Sequence, residues 1–393
     1  MTIKHLALCA LTGTITLTTV ADVDWMILPK YTSTGLMMIH GTRDISPKSK
    51  VPRVYPGMRL DTPEQNKLAK YKYLRIGSGN GNFCFCGMNE KGLGVIFTGG
   101  TPTWDKDPSP SPSVLPPNSA TVVMLRSCAT ARQAVDMMRR ASQNRQLSGS
   151  AIFFVADPNQ AFVIESAPAH FASWQLPHAF CAYSNCWKLP GMDDASLSDG
   201  YRAANNYQRE WMARERLKQA FDAKKIISPA DSLAVSRLTV EEANGEAFAK
   251  RRGKAVLVKD IAPFNKRSVD SYLFELDCEF PAELNCVYAA LGPARHTVYL
   301  PIPLGAADKL PKEIFQKEWV DNAYRLRDAA DPAAPVRPEL LEFENKLHKD
   351  FAKARAKARA LMRQDKFDQG RKLLRDTLER QAKETLEFLN NLK

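Results

Sequence analysis

The sequence predicts an α+β fold of largely antiparallel sheets with helices outside, and three observations predict it. Extended segments come in blocks rather than alternating one for one with helices, which argues against a doubly wound parallel sheet. Gly, Asn and Pro punctuate those blocks with turn chemistry. From Pro311 onward the composition becomes helical and strongly charged. The chain has 393 residues, of which 44% are hydrophobic and 25% charged. That is enough to bury a substantial core and too apolar for global disorder.

Taken in order, the first 21 residues stand apart. Lys4 gives a short positive start, Leu6 to Val20 contains no acid, and Thr19-Val20-Ala21 closes with small residues. This reads as a signal peptide cleaved after Ala21, with a buried first strand as the alternative. Residues 22–46 read as strand, turn, strand: Trp25 to Leu28, a turn at Thr34-Gly35, then Leu36 to His40. Residues 71–100 repeat the pattern around a Gly/Asn-rich turn. Cys84 and Cys86 alternate in that run and are expected to point the same way. Residues 102–118 form a Pro/Ser loop suited to a lid or rim. Thr130 caps a helix running toward Gln143, and two strands, Ala151–Ala156 and Ala161–Glu165, follow around Asp157-Pro158-Asn159. Helices are expected over 201–222 and 229–248, strands over 271–276 and 286–301. A charged helical hairpin, broken near Pro332 to Pro338, ends the chain.

Composition narrows the function classes. The net charge of +12 suggests affinity for anions. The basic run Lys353, Arg355, Lys357, Arg359, Arg363 is interleaved with Asp350, Asp365 and Asp368 and lacks stacking aromatics, so a solvated helix face is expected rather than a nucleic-acid site. No mature stretch has the roughly 20 apolar residues of a membrane span. Cys84-Phe85-Cys86 is too tight for the usual metal-site gap, and no pattern calls for a metal or a cofactor. One of the eight cysteines, Cys9, falls in the leader. Export permits disulfides among the rest, with one thiol left over and no connectivity readable.

Four segments, in order, carry a resemblance. They are Thr34-Gly35-Leu36-Met37-Met38-Ile39-His40-Gly41-Thr42-Arg43-Asp44; Gly87-Met88-Asn89-Glu90-Lys91-Gly92-Leu93-Gly94-Val95; Phe154 to Glu165 with Tyr183-Ser184-Asn185 after it; and Val287-Tyr288-Ala289-Ala290-Leu291-Gly292-Pro293 with Tyr299-Leu300-Pro301. Together they resemble the N-terminal-nucleophile hydrolases of linear amides, the superfamily of choloylglycine hydrolases, penicillin acyltransferases and a branch of secreted dipeptidases. Phe280 to Leu284 and the helical C-terminal region resemble the dipeptidase branch. The resemblance implies an αββα sandwich over 22–310, a helical region over 311–393, and cleavage of a small peptide or acyl-amine.

In that superfamily the first mature residue, normally Cys, is the nucleophile and its own α-amino group is the base. Carried over residue by residue, Asp44 matches the amine-orienting Asp and Asn185 the later Asn that lines the site. Arg43 lies beside the place of the family arginine, which Gly41 occupies, so its guanidinium is expected to reach in from a shifted position. Gly99 stands where a further oxyanion Asn is found, leaving only a backbone N–H as donor. Trp25 and Trp187 are candidates to line a substrate pocket, with core packing the alternative. The nucleophile's place falls on Asp22, and a carboxylate has no proton for the amine to remove at neutral pH. Two readings stay open: hydrolysis through another residue, Thr18 or Thr19 being chemically acceptable, or a silent relative that keeps the pocket and binds a ligand. An envelope interaction protein docking through its basic tail is a third. His40 is expected to be a packed, hydrogen-bonded residue, and Glu90 and Glu165 to stabilise hairpins.

Overall fold

The computed structural model describes residues 22–45, 53–78, 83–100, 114–192, 206–245, 257–258 and 261–392. The expected leader, with Thr18 and Thr19, and most of the Pro/Ser loop (101–113) lie outside the described residues.

Two antiparallel sheets are stacked. The first contains β1 (Val23–Ile27), β2 (Met37–Asp44), β10 (Phe180–Ser184), β11 (Ser268–Leu276), β12 (Cys286–Ala290) and β13 (Tyr299–Pro303), in the order β10-β1-β2-β11-β12-β13. The second runs in chain order through β3 (Pro56–Asp61), β4 (Tyr73–Ser78), β5 (Phe83–Asn89), β6 (Gly94–Gly99), β7 (Ala151–Ala156), β8 (Ala161–Ala167) and β9 (His170–Gln175). β2 faces β6 and β7 across the interior. Helices α1 (Pro117–Ser127) and α2 (Ala131–Gln143) cover the outer face of the second sheet. Helix α3 (Tyr207–Lys224) covers β10 and β1, and α4 (Pro229–Val235) covers β11. The short α5 (Val240–Gly245) and α6 (Lys317–Ala329) precede α7 (Pro338–Met362) and α8 (Phe367–Asn391), which pack on β13. The architecture is an αββα sandwich.

Local chemistry explains the turns. Gly35, at φ +68°, makes the β1–β2 connection in a region L-residues avoid. Asn89 holds the β5–β6 hairpin by accepting from the N–H groups of Lys91 and Leu93 at 3.0 and 3.1 Å, while its amide donates to the carbonyls of Leu125 and Cys128 at 2.8 Å each. The motif turn thereby ties the hairpin to α1. Thr130 accepts from Gln133 N–H at 3.2 Å and caps α2 as the sequence indicates.

Three expectations need correction. The pairing of β4 with β5 slips between Ile76 and Gly77, so Cys86 sits opposite Ile76 but Cys84 opposite Gly77. This bulge breaks the alternation, and the two thiols fall in different cores: Cys86 between the sheets, Cys84 beneath α1 and α2. The helix expected over 229–248 is two short helices. Arg237 turns inward at the break, giving Nε to Ala294 O at 2.8 Å and both terminal nitrogens to Glu344 at 2.8 and 2.7 Å. Thr239 and Glu242 then cap α5 reciprocally at 3.3 and 3.2 Å. The strand expected over 286–301 is likewise two, β12 and β13, joined through a turn at Ala294–His296.

His40 is the packed residue that was expected. Trp25 Nε1 is a donor only and gives its proton to Ser232 Oγ at 2.7 Å, leaving the Ser232 hydroxyl proton for His40 Nδ1 at 3.0 Å. Ser271 donates to Gly41 O at 3.1 Å and so accepts from His40 Nε2 at 2.8 Å. The ring is neutral with its proton on Nε2, and burial holds its pKa well below the usual histidine range.

The C-terminal helices share the core of the first sheet, joined by buried ion pairs. Arg355 on α7 donates to Glu275 on β11 at 2.6 Å and to Leu284 O at 2.6 Å. Removing one partner of a buried pair strands the other's charge. Arg355→Met is expected to lower the unfolding free energy by about 3–5 kcal/mol, measured by urea denaturation, and adding Glu275→Leu to recover most of that loss.

Candidate functional site

Asp22 and Asp24 lead into and begin β1 on the face turned to the second sheet, and neither side chain is exposed. Asp22 is held from both sheets. One carboxylate oxygen accepts the backbone N–H of Asp44, at the end of β2, at 2.8 Å. The other accepts the hydroxyl of Thr98, on β6, at 2.8 Å. Its main-chain carbonyl accepts from Ser184 Oγ at 2.9 Å and from Arg209 Nη1, on α3, at 2.7 Å.

Asn185 follows β10 directly. Its amide nitrogen donates to Thr98 Oγ1 at 2.7 Å and to Gly99 O at 2.8 Å, and its carbonyl accepts from Arg209 Nη2 at 3.1 Å. The segment after it is fixed by Glu165, fully buried on β8, whose carboxylate accepts the N–H groups of Lys188 and Leu189 at 2.8 and 3.0 Å. Asp44 turns its carboxylate the other way, to Asn265 Nδ2 at 2.6 Å. Asp22 thus stands between Asp44 and Asn185: N–H of Asp44 to Asp22, Asp22 to Thr98, Thr98 to Asn185.

The remaining sequence candidates separate. Arg43 points between the sheets, but its guanidinium goes to Asp270, with Nε at 2.9 Å, and to Ser78 Oγ at 2.7 Å. Its expected reach into the site from a shifted position is limited to its charge, which acts on Asp22, because Asp270 on β11 takes its hydrogen bonds. Trp25 lies on the outer face of β1 with His40 and Ser232, one residue out of phase with Asp24, and belongs to the core under α4. Gly99 contributes an acceptor, its carbonyl, to Asn185. At Gly41 a Cβ would lie 2.8 Å from Ile96 Cγ2 and 2.9 Å from Asp24 Oδ1, so a side chain there has no room. Trp187, 2% exposed, packs its ring so tightly against Gly100 that a Cβ there would lie 2.5 Å from it. Its indole N–H has no partner among the described residues.

Four site residues were not read from the sequence. Thr98 was within reach, since it alternates with Gly94 and Ile96 along β6. Asp24 shares the parity of Asp22. Arg209 and Asn265 come from a helix and a loop with no local signal that they return to this point.

Electrostatics follow from burial. Taking Asp22 out of water pushes its carboxyl up to about 6, against the lowering effects of the Asp44 N–H and the Thr98 hydroxyl. Asp44 is pushed up to about 7, by burial first and the neighbouring Asp22 charge second. Asp24 is raised well above the usual range by burial and by Asp22, and its Oδ2 has no hydrogen-bond partner among the described residues. Arg209 is the cation that contacts this cluster directly, through the Asp22 carbonyl. The cluster therefore retains protons at neutral pH. No group of ligating side chains suited to a metal ion occurs among the described residues.

No protein-family profile matches the sequence, and no curated protein matches it. Solved structures do. A variant of the conjugated bile acid hydrolase from Clostridium perfringens matches at 12% identity over 72% of this chain and 92% of that one, with a TM-score of 0.43. The Caenorhabditis elegans orthologue of N-acylethanolamine-hydrolyzing acid amidase matches at 13% identity, over 66% and 95%, with a TM-score of 0.39. Penicillin V acylase from Agrobacterium tumefaciens matches at 13% identity, over 73% and 87%, with a TM-score of 0.39. Each of these likenesses is one of fold alone.

The raised carboxyls fix a pH dependence. In the unfolded chain all three titrate near the ordinary aspartate value, whereas the folded protein holds their protons to higher pH, Asp22 to about 6 and Asp44 to about 7. The folded state therefore binds more protons between about pH 4 and 7, and stability falls as pH rises through that window. Urea denaturation at pH 4.5 and pH 8 is expected to show the higher stability at the lower pH. Asp24→Asn, which mimics the protonated group, is expected to flatten the slope and raise stability at pH 8.

Proposed function

We propose that the chain is exported, that residues 1–21 are removed after Ala21, and that the mature protein binds a small peptide or acyl-amine without hydrolysing it. On this reading it keeps the architecture of an N-terminal-nucleophile amide hydrolase while its first position cannot attack a carbonyl. The observation that carries the reading is the state of Asp22. Its carboxylate is fully buried and each oxygen already accepts a hydrogen bond.

Chemistry gives this weight. The α-amine of a leading residue activates a thiol or hydroxyl by taking its proton, and an ionised carboxylate offers none. The amide hydrogens of Asn185 are both engaged, so no donor there is free for a developing oxyanion. Gly41 removes the arginine that would stabilise a thiolate. What favours binding is Trp187. Its indole is a donor only, buried and without a partner among the described residues, and a ligand carbonyl would satisfy it. Removal of the leader would also place an α-ammonium on Asp22, a cation beside a buried carboxyl cluster whose members act on one another.

The test begins with the mature N-terminus, read by intact mass of exported material, and continues with dipeptide hydrolysis by correctly processed protein. Wild type is expected to show no turnover above background, and Asp22→Cys to create it, at a rate limited by Gly41 and Gly99. Each absent charge or donor costs roughly 3 kcal/mol of transition-state stabilisation. In calorimetry, Trp187→Phe is expected to weaken dipeptide binding about tenfold, the equivalent of one hydrogen bond to a buried donor. Wild-type turnover that survives Asp22→Ala would end this reading and make Thr19 the next residue to substitute.

A further inference from the structure

The C-terminal hairpin presents two exposed faces of opposite design. On α8 the outward cations have acidic partners one turn further on. Lys372 Nζ lies 2.6 Å from Asp376, Arg380 Nη1 3.0 Å from Glu384, and Lys383 Nζ 3.9 Å from Glu387. Such pairs keep a helix face soluble at little net charge.

Helix α7 is built differently. Its buried side, with Leu340, Leu347, Phe351, Arg355 and Met362, is fully occupied against the first sheet and α8. Diametrically opposite lie Lys346, Lys349, Lys353 and Lys357, all exposed. At 3.6 residues per turn the four fall within an arc of about 80° and span about 16 Å of helix. None makes an ion pair among the described residues. Of the acids at this face, Asp350 is turned toward Arg380 at 3.9 Å, and Glu342 lies one turn before the first lysine, at the end of the stripe. Along one edge of the lysine stripe the surface carries the small side chains Ala352, Ala356 and Ala360, also exposed.

We propose that this lysine face of α7 docks on an anionic lipid headgroup layer. Like charges at i, i+4 oppose each other on an isolated helix, and a partner of opposite charge relieves them together. The partner must present negative charge over several turns without offering a knob to a pocket, because the alanines beside the lysines are small and form no groove. It must also accept ammonium point charges rather than the planar forks with which arginine reads phosphates. A headgroup layer meets both demands, and polybasic helix faces adsorb to it additively. A nucleic-acid strand fits less well, since no aromatic side chain lies on the face to stack a base. The helix does not insert, because its apolar side is already buried.

The experiment is co-sedimentation of the full chain with vesicles of pure phosphatidylcholine and of phosphatidylcholine containing about 30% phosphatidylglycerol, at low and at roughly half-molar salt. Binding is expected to the anionic vesicles only and to disappear at high salt. Each lysine near the surface strengthens binding about fivefold, so Lys353→Gln with Lys357→Gln should weaken it about 25-fold. The charge-matched control, Lys372→Gln with Lys383→Gln, should change it less than about twofold, with circular dichroism checking that both variants fold. Equal binding to neutral vesicles, no binding at low salt, or equal losses in the two double variants would overturn the proposal. So would tighter binding to duplex DNA than to anionic vesicles with the same lysine dependence.

Discussion

A carboxylate sealed between two sheets and gripped from both is the constraint on which the rest of this structure depends. Asp22 takes a backbone N–H from the end of β2 and a hydroxyl from β6, and its carbonyl takes a guanidinium N–H from α3. Three layers of the sandwich meet at this residue. Because a buried charge without its water is costly, the neighbourhood has to supply hydrogen bonds, and it does so from segments far apart in the chain. Asp24 and Asp44, equally buried, raise the cost further and hold protons as a result. Arg43, whose hydrogen bonds go to Asp270, relieves Asp22 only through its charge, the smallest of the lowering effects there.

The same arrangement underlies the proposed reading, in which the residues expected of an amide hydrolase are present but turned toward one another. If the leader is removed as proposed, a thiol at position 22 would have the Asp44 N–H, Thr98 and Asn185 in reach and an α-amine to ionise it. A carboxylate at that position consumes those groups as an acceptor. Asn185 then satisfies Thr98 and Gly99 instead of a reaction intermediate. The groups are present, but their hydrogen bonds close on one another.

Much of this was legible in the sequence, for physical reasons that differ from residue to residue. Gly35 and Asn89 declare their turns because few residues tolerate those conformations, so the antiparallel hairpins could be placed. Asp22, Asp44 and Asn185 were found through ordered motifs, and the structure links them through Thr98. For Trp25 the core-packing alternative is the one observed, and alternation already put it on the opposite face from Asp22 and Asp24. The bulge that separates Cys84 from Cys86, and the break that splits α4 from α5, arise from tertiary contacts. The first is a slip against β4, the second the inward turn of Arg237 toward Glu344. No local pattern encodes the first, whereas the second carries one, the Thr239-Val240-Glu241-Glu242 capping box that starts α5. Arg209 and Asn265 were illegible for the same reason: their partners lie 187 and 221 positions away.

The claim at the centre is that residue 22 is a structural acceptor and never a covalent nucleophile. Its most direct test is to incubate processed protein with a reactive acyl-amide, quench with acid and map the peptides by mass spectrometry. The account predicts no acyl group on Asp22 or on any other residue of the chain. An acyl adduct on Asp22, or one on a Thr or Cys that forms with turnover and is cleared by water, would contradict it.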